Sequence, residues 1–184
     1  MISRIFAGNV DLMRVGEASP MSCEDRVTQI FEEARDDIYR YLITLGLRPP
    51  SAQDATQEVF LRLYVALRKG ERIENLRGWI FRVAHNHGLT IRTRESIALS
   101  IEPDFATQIP DRGENPEQAL LDREHKLRLH QAVEALSDQQ RNCLSLRAEG
   151  FRYREIAEIL GVSDSSVCVF LQRAIRRLRK TLYV

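Results

Sequence analysis

Apolar residues fall in helical rhythm along most of the chain. Val27, Ile30, Phe31, Ala34, Ile38, Tyr41, Leu42 and Leu45 recur at steps of three and four, which predicts one amphipathic helix over about residues 25–45. Gly46 and the Pro49-Pro50 pair end it. Ser51 is placed to cap a second helix, with Asp54 near its N-terminus and Ala55, Val59, Leu63 and Leu67 on its inner face. Gly70 closes that helix, and a polar loop to Asn75 leads into a third beginning near Leu76. Trp79, Ile80, Val83 and Ile91 form its apolar positions. Gly88 inside it costs about 1 kcal/mol relative to Ala, which predicts a bend or fraying there.

The rhythm stops between Ser96 and Asn115, where two prolines, a glycine and several acids predict a connector. It resumes at Pro116, with Asn115 as a cap and Leu120, Leu121, Leu127, Val133 and Leu136 as apolar positions. Ser137 followed by Gln140 forms a capping-box pair opening a helix that ends at Gly150. Two more helices follow, Tyr153 to Leu160 and a long one from Asp164, divided by Gly161-Val162-Ser163. No alternating runs of β-branched residues interrupt this series. The fold expected is all-α: two small helical domains joined by an irregular acidic linker. The divisions are an N-terminal extension of low information at 1–24, a first domain at 25–95, a linker at 96–115 and a second domain at 116–184.

The last two helices have helix-turn-helix form. Ala157 is small where two helices cross, Ile156 and Leu160 face inward, and Gly161 takes the turn. With Val167, Leu171, Ala174 and Leu178 as the inner stripe, Ser165, Ser166, Val169, Gln172, Arg173 and Arg176 lie outside. Short hydroxyls near a helix N-terminus, followed by Gln and Arg, suit a DNA major groove. Five basic residues between Arg173 and Lys180, Arg177 among them, suit phosphate neutralisation. A solvated three-helix bundle with a basic tail would carry the same pattern without binding DNA.

Charge sharpens the picture only when it is resolved along the chain. The formal total is +1, yet residues 62–94 carry eight Lys/Arg against two Glu. Residues 101–124 carry seven acids against two Arg, and residues 125–184 eleven Lys/Arg against six acids. Two basic modules flanking an acidic connector suit a polyanion touched twice.

Three motifs carry a family resemblance. The segment Ser51-Ala52-Gln53-Asp54-Ala55-Thr56-Gln57-Glu58-Val59-Phe60-Leu61-Arg62 resembles the polymerase-binding helix of the extracytoplasmic-function sigma factors of bacterial RNA polymerase. Leu76-Arg77-Gly78-Trp79-Ile80-Phe81-Arg82-Val83-Ala84-His85-Asn86 resembles that family's promoter −10 helix. Leu136 to Arg141 and the helix-turn-helix after it resemble its −35-reading domain. The resemblance runs from about Asp25 to Lys180.

It implies a specificity subunit that binds core polymerase, recognises −10 and −35 elements and assists strand opening. Asp54, Gln57, Glu58 and Arg62 would dock on the clamp helices of the largest subunit, with a further contact to the flap. Arg77, Arg82, Asn86 and Arg92 would touch the opening −10 duplex, and the loop Gly70 to Asn75 would capture an unstacked base. Trp79 lies on the apolar stripe, so it reads either as core or as a −10 stacking platform. Ser165, Ser166, Val169, Gln172, Arg173, Arg176 and Arg177 would read or grip the −35 element. An anti-sigma partner is also implied. The chain departs from the family at Cys168, Val169 and Phe170, where Lys, Ser and Arg are common. It also departs at Arg152, where Ser or Thr usually caps, and at Thr90 and Thr93, where Asp and Arg are commoner.

No catalytic constellation is expected, and neither is a cofactor. Walker, GxSxG and dinucleotide fingerprints are missing from the sequence. His85 and His87 form an HxH, but at that spacing on a helix the rings diverge, so no metal site is expected. Cys23, Cys143 and Cys168 are odd in number and far apart, which fits a reducing, cytoplasmic setting. Asp11 and Arg14 break the one mildly apolar N-terminal stretch, so neither a secretory leader nor membrane insertion is expected. Two other readings stay open: a helix-turn-helix regulator acting without polymerase, and a sigma-like adaptor whose Val169 and Phe170 surface binds protein.

Overall fold

A computed structural model describes residues 22–99, 128–129 and 131–182, and every regular element among them is helical. The longer elements are α1 (Cys23–Thr44), α2 (Pro49–Arg68), α3 (Leu76–Leu99), α4 (Asp138–Ala148), α5 (Tyr153–Leu160) and α6 (Asp164–Leu182). A short helical stretch at 131–134 precedes α4. The all-α expectation therefore holds for the described residues. The expected start at Pro116, and Leu120, Leu121 and Leu127 with it, lie outside them.

Local chemistry sets most boundaries. Ser22 opens α1, its Oγ accepting the Asp25 backbone N–H at 3.0 Å. The second helix begins earlier than expected and without a serine cap. Pro49 and Pro50 occupy its first positions, with Arg48 as the N-cap residue. Proline fits there because its missing N–H would be unpaired anyway. Ser51 is thus already inside α2, and its hydroxyl donates to the Glu95 carboxylate of α3. At the other end, α3 runs unbroken through Gly88 to Leu99, so residues 96–99, expected to open the connector, are helical.

Gly88 lies where α3 packs on the end of α1, and the helix continues through it. A Cβ built there would lie 2.6 Å from Leu45 Cδ2 and 2.8 Å from Leu42 Cδ2. The glycine lets α3 approach α1 closely, and the packing gained offsets its propensity cost. Ile38, Leu42, Leu45, Val59, Leu63, Ile80 and Phe81 fill the space among α1, α2 and α3. Phe31 and Phe60 meet edge to face at 4.9 Å between α1 and α2.

In the C-terminal module Ser137 and Gln140 form the expected reciprocal cap, each bond 3.3 Å long. Gly161 sits in the left-handed region at φ 66° and turns the chain between α5 and α6. Ser163 Oγ then accepts the Ser166 N–H at 3.2 Å and caps α6. Val167, Leu171 and Ala174 are buried on one stripe, with Leu178 partly so. The departure at Arg152 is compensated from three residues downstream, where the Glu155 carboxylate accepts the Arg152 backbone N–H at 2.7 Å.

The two modules also pack against one another, which periodicity could not foretell. Helix α3 lies on α5, and α1 touches α4. Phe81 of α3 and Phe151 of the α4–α5 turn meet edge to face at 4.9 Å, and one apolar cluster runs through both modules.

Candidate polymerase and promoter surfaces

Alternation of buried and exposed positions on α2 separates its core from a polar outer face. Ala52, Ala55, Val59 and Leu63 are buried, whereas Asp54, Gln57 and Arg62 are exposed and Glu58 is partly so. Glu58 accepts from Arg62 Nε at 2.8 Å, a pair one helical turn apart. The four residues expected to contact polymerase thus share one face. Leu61 and Val65 add exposed apolar area close by.

The −10 set lies along α3. Asn75 caps this helix, its Oδ1 accepting the Gly78 N–H at 2.9 Å. This role was not singled out from sequence, although an Asn directly before an apolar run is a recognisable signal. Arg82 and Asn86 are exposed, and Arg77 and Arg92 are partly buried. Trp79 is half-buried against the core and also lines a cleft of about 390 Å³. The loop Glu71 to Asn75 forms one wall of that cleft, and Glu155, Glu158 and Ile159 of α5 form the other.

Arg77 is the most enclosed of these cations. One of its terminal nitrogens donates to the Glu149 carbonyl at 2.6 Å and lies 3.4 Å from the Glu149 carboxylate. Its guanidinium carbon stands 4.4 Å from the Phe151 ring centre, a cation–π distance. Burial lowers the Arg77 pKa and raises that of Glu149, to which Asp37 adds in the same direction. The bond to the carbonyl is the shorter of the two, and the Phe151 ring stands beside the guanidinium.

Across α6 the expected outer face is open. Ser165, Val169, Gln172, Arg173, Arg176 and Arg177 are exposed, and Ser166 is partly so. Val169 is 40% accessible, while Phe170 packs against the core as an enlargement of the inner stripe. The Cys168 thiol lies 3.5 Å from the Gln172 amide.

The histidines separate as helical geometry requires. His85 is buried and bonded to Tyr41, whereas His87 lies on another side of α3, 3.4 Å from an Arg62 nitrogen. Among the described residues no group of three metal-ligating side chains converges. None of their helices is long and apolar enough to cross a membrane.

The arrangement is that of a two-module helical protein with a helix-turn-helix at its C-terminal end. Two families match it: Sigma-70 region 2 over residues 30–96 and Sigma-70, region 4 over residues 126–178. RNA polymerase sigma-H factor of Pseudomonas aeruginosa is 30% identical over 71% of this chain and 72% of its own. ECF RNA polymerase sigma factor SigE of Mycolicibacterium smegmatis is 28% identical over 84% of this chain, and SigM of Bacillus subtilis 24% identical over 85%. The matched region spans 60% of SigE, 66% of BldN of Streptomyces coelicolor and 94% of SigM. A solved structure of sigma factor RpoE with anti-sigma factor NepR from Bartonella quintana shares the fold. Its TM-score is 0.65 at 22% identity, covering 86% of this chain and 98% of that one. The chain belongs to the extracytoplasmic-function sigma factors.

Proposed function

We propose that this protein binds core RNA polymerase and directs initiation at promoters bearing −10 and −35 elements. The observation that carries the reading is the order and exposure of its surfaces. An acidic-polar face on α2 and a basic, hydroxyl-bearing face on α6 flank the cationic helix α3 in one chain. Residues 25–95 would form the polymerase and −10 module, 96–115 the connector, and 116–184 the −35 module.

Asp54, Gln57, Glu58 and Arg62 dock on the clamp helices, while the C-terminal module meets the flap. Ser165, Ser166, Val169 and Gln172 address −35 base edges, and Arg173, Arg176 and Arg177 grip phosphates. Arg77, Arg82, Asn86 and Arg92 hold the −10 strand, with Trp79 beside the base-capture loop. Strand opening then needs no bond chemistry from the protein. Unpaired bases bound more tightly than duplex shift the equilibrium towards the open state. The protein acts in the cytoplasm, without a cofactor, and an anti-sigma factor covers one or both modules.

Run-off transcription with purified core polymerase, on DNA from the upstream region of its own gene, tests this reading. A discrete start that depends on the protein and disappears with Asp54→Ala/Glu58→Ala is the expected result. Promoter binding that needs no polymerase would instead identify a regulator acting alone.

A further inference from the structure

The outer face of α6 carries one apolar side chain at a point where hydrogen-bonding groups surround it. Val169 stands within the first two turns of the helix and is 40% accessible. Ser165 and Ser166 lie one turn before it and Gln172 and Arg173 one turn after, at the three- and four-residue steps that make neighbours on a helix surface. Its successor Phe170 packs against the core. Packing therefore accounts for Phe170 and leaves Val169 without a structural role.

The polar neighbours are drawn back onto their own helix. The Ser165 and Ser166 hydroxyls lie 2.9 and 2.8 Å from Ser163 Oγ, the atom that caps α6. The Gln172 amide donates to the Cys168 sulfur at 3.5 Å. Val169 has no group to turn back. A β-branched side chain in a helix is held near one χ1 rotamer, so its methyl pair is presented in a fixed position.

What such a group can recognise follows from the chemistry of base edges. In the major groove every base offers a donor or an acceptor, and thymine alone adds a methyl group. Valine neither donates nor accepts. Pressed on a guanine, adenine or cytosine edge, it would strip water from polar groups and leave them unpaired. Against a thymine methyl it buries apolar area on both sides. Arg173 and Arg176, one and two turns further along α6, are exposed and suit the phosphates that would hold the helix in the groove.

We infer that Val169 reads the C5-methyl group of a thymine in the −35 element, which makes that thymine a specificity determinant of this protein. The inference rests on the sigma-factor reading above and adds to it which base the middle of this face selects. Serine, common at this position in the family, can bond to a base edge. Valine exchanges that bond for an apolar contact, so preference at this one pair is set by a residue in which the chain departs from its family.

The experiment uses the full chain assembled with core polymerase, on a promoter fragment from the start mapped by run-off. Each thymine of the −35 element, on either strand, is replaced in turn by deoxyuridine, which removes the methyl and leaves every hydrogen-bonding group. Affinities are compared by competition for the parent, Val169→Ala and Val169→Ser. One deoxyuridine should weaken the parent about fourfold, the value of burying roughly one methyl. The same replacement should leave both variants unchanged, while outright substitution of a different −35 pair still weakens them and so shows that they read the element. A parent indifferent to deoxyuridine at every position, or variants as sensitive to it as the parent, overturns the assignment. A parent that gives no transcript refutes the sigma reading instead. The scan is then run on duplexes that the full chain alone enriches from a random pool, and the comparison of parent with variants still decides whether Val169 meets a methyl. Enrichment of no duplex refutes both.

Discussion

The Tyr41 hydroxyl and the His85 Nδ1 meet at 2.8 Å in the interior, joining the middle of α1 to the middle of α3. Burial raises the phenol above its ordinary range and pushes the imidazole down to about 4, with Arg92 acting in the same direction. Both groups are therefore neutral near pH 7, and the bond between them gives the buried phenol its partner. A buried polar pair of this kind costs little while it is intact and much when one partner is lost.

A pH dependence follows from the depressed imidazole. The unfolded chain takes up a proton near 6.5, whereas the native chain resists until about pH 4. The stability is fully present above the unfolded value and is lost as pH falls between the two. The loss should approach roughly 3 kcal/mol, from ~1.4 kcal/mol per pH unit over the window. Urea denaturation of wild type and His85→Gln across pH 4–7 checks this: the wild-type curve should slope and the variant's should be flatter. Parallel slopes would remove His85 as the cause.

Gly88 yields a second prediction, with a sign opposite to helix propensity. Gly88→Ala would gain about 1 kcal/mol in an exposed helix. Here the new methyl meets Leu45 and Leu42 side chains that are themselves fully buried. Overpacking costs ~1–3 kcal/mol, so the substitution should lower stability by about 1 kcal/mol overall, and Gly88→Val by more. Denaturation midpoints measured at constant m-value test the order.

The turn of the helix-turn-helix allows a similar test without a packing change. Nothing lies within 4 Å of a Cβ built on Gly161, and its φ of 66° is the sole obstacle to a side chain. Gly161→Ala should cost about 1–2 kcal/mol, and Gly161→Asn clearly less, because Asn tolerates the left-handed region. Equal losses in the two variants would point to a cause other than backbone conformation.

What could be read in the sequence was short-range. The stripe Val167, Leu171 and Ala174, the Ser137–Gln140 box and the turn at Gly161 depend on neighbours within a few residues, and all are found in the structure. Ser51 was misplaced because two adjacent rules competed, and proline at the first helical positions overrode the preference for a serine cap. Gly88 looked like a weakness because its compensation comes from Leu42 and Leu45 on another helix. The contacts of Arg77 with Glu149 and of Arg92 with Asp138 join residues 72 and 46 positions apart. No periodicity records such pairings, so Glu149 and Asp138 read as ordinary surface charge.

The outer face of α6 should divide into residues that grip and residues that read. Arg176 lies well along the helix from its capped N-terminus, in the basic run that ends at Lys180, where a phosphate contact carries no sequence information. Gln172 stands one turn nearer the N-terminus, exposed beside Val169, with an amide able to pair with a base edge. Each phosphate contact contributes about 0.9 to the slope of log affinity against log salt. Arg176→Ala should therefore reduce that slope by about 1 and weaken all −35 duplexes alike. Gln172→Ala should leave the slope unchanged and cost about 1–3 kcal/mol on the preferred sequence alone. Titrating the full chain against preferred and scrambled −35 duplexes at several salt concentrations separates the two. If Arg176→Ala instead changes sequence preference at constant slope, the two roles are exchanged, and base reading lies further along α6 than its N-terminal hydroxyls suggest.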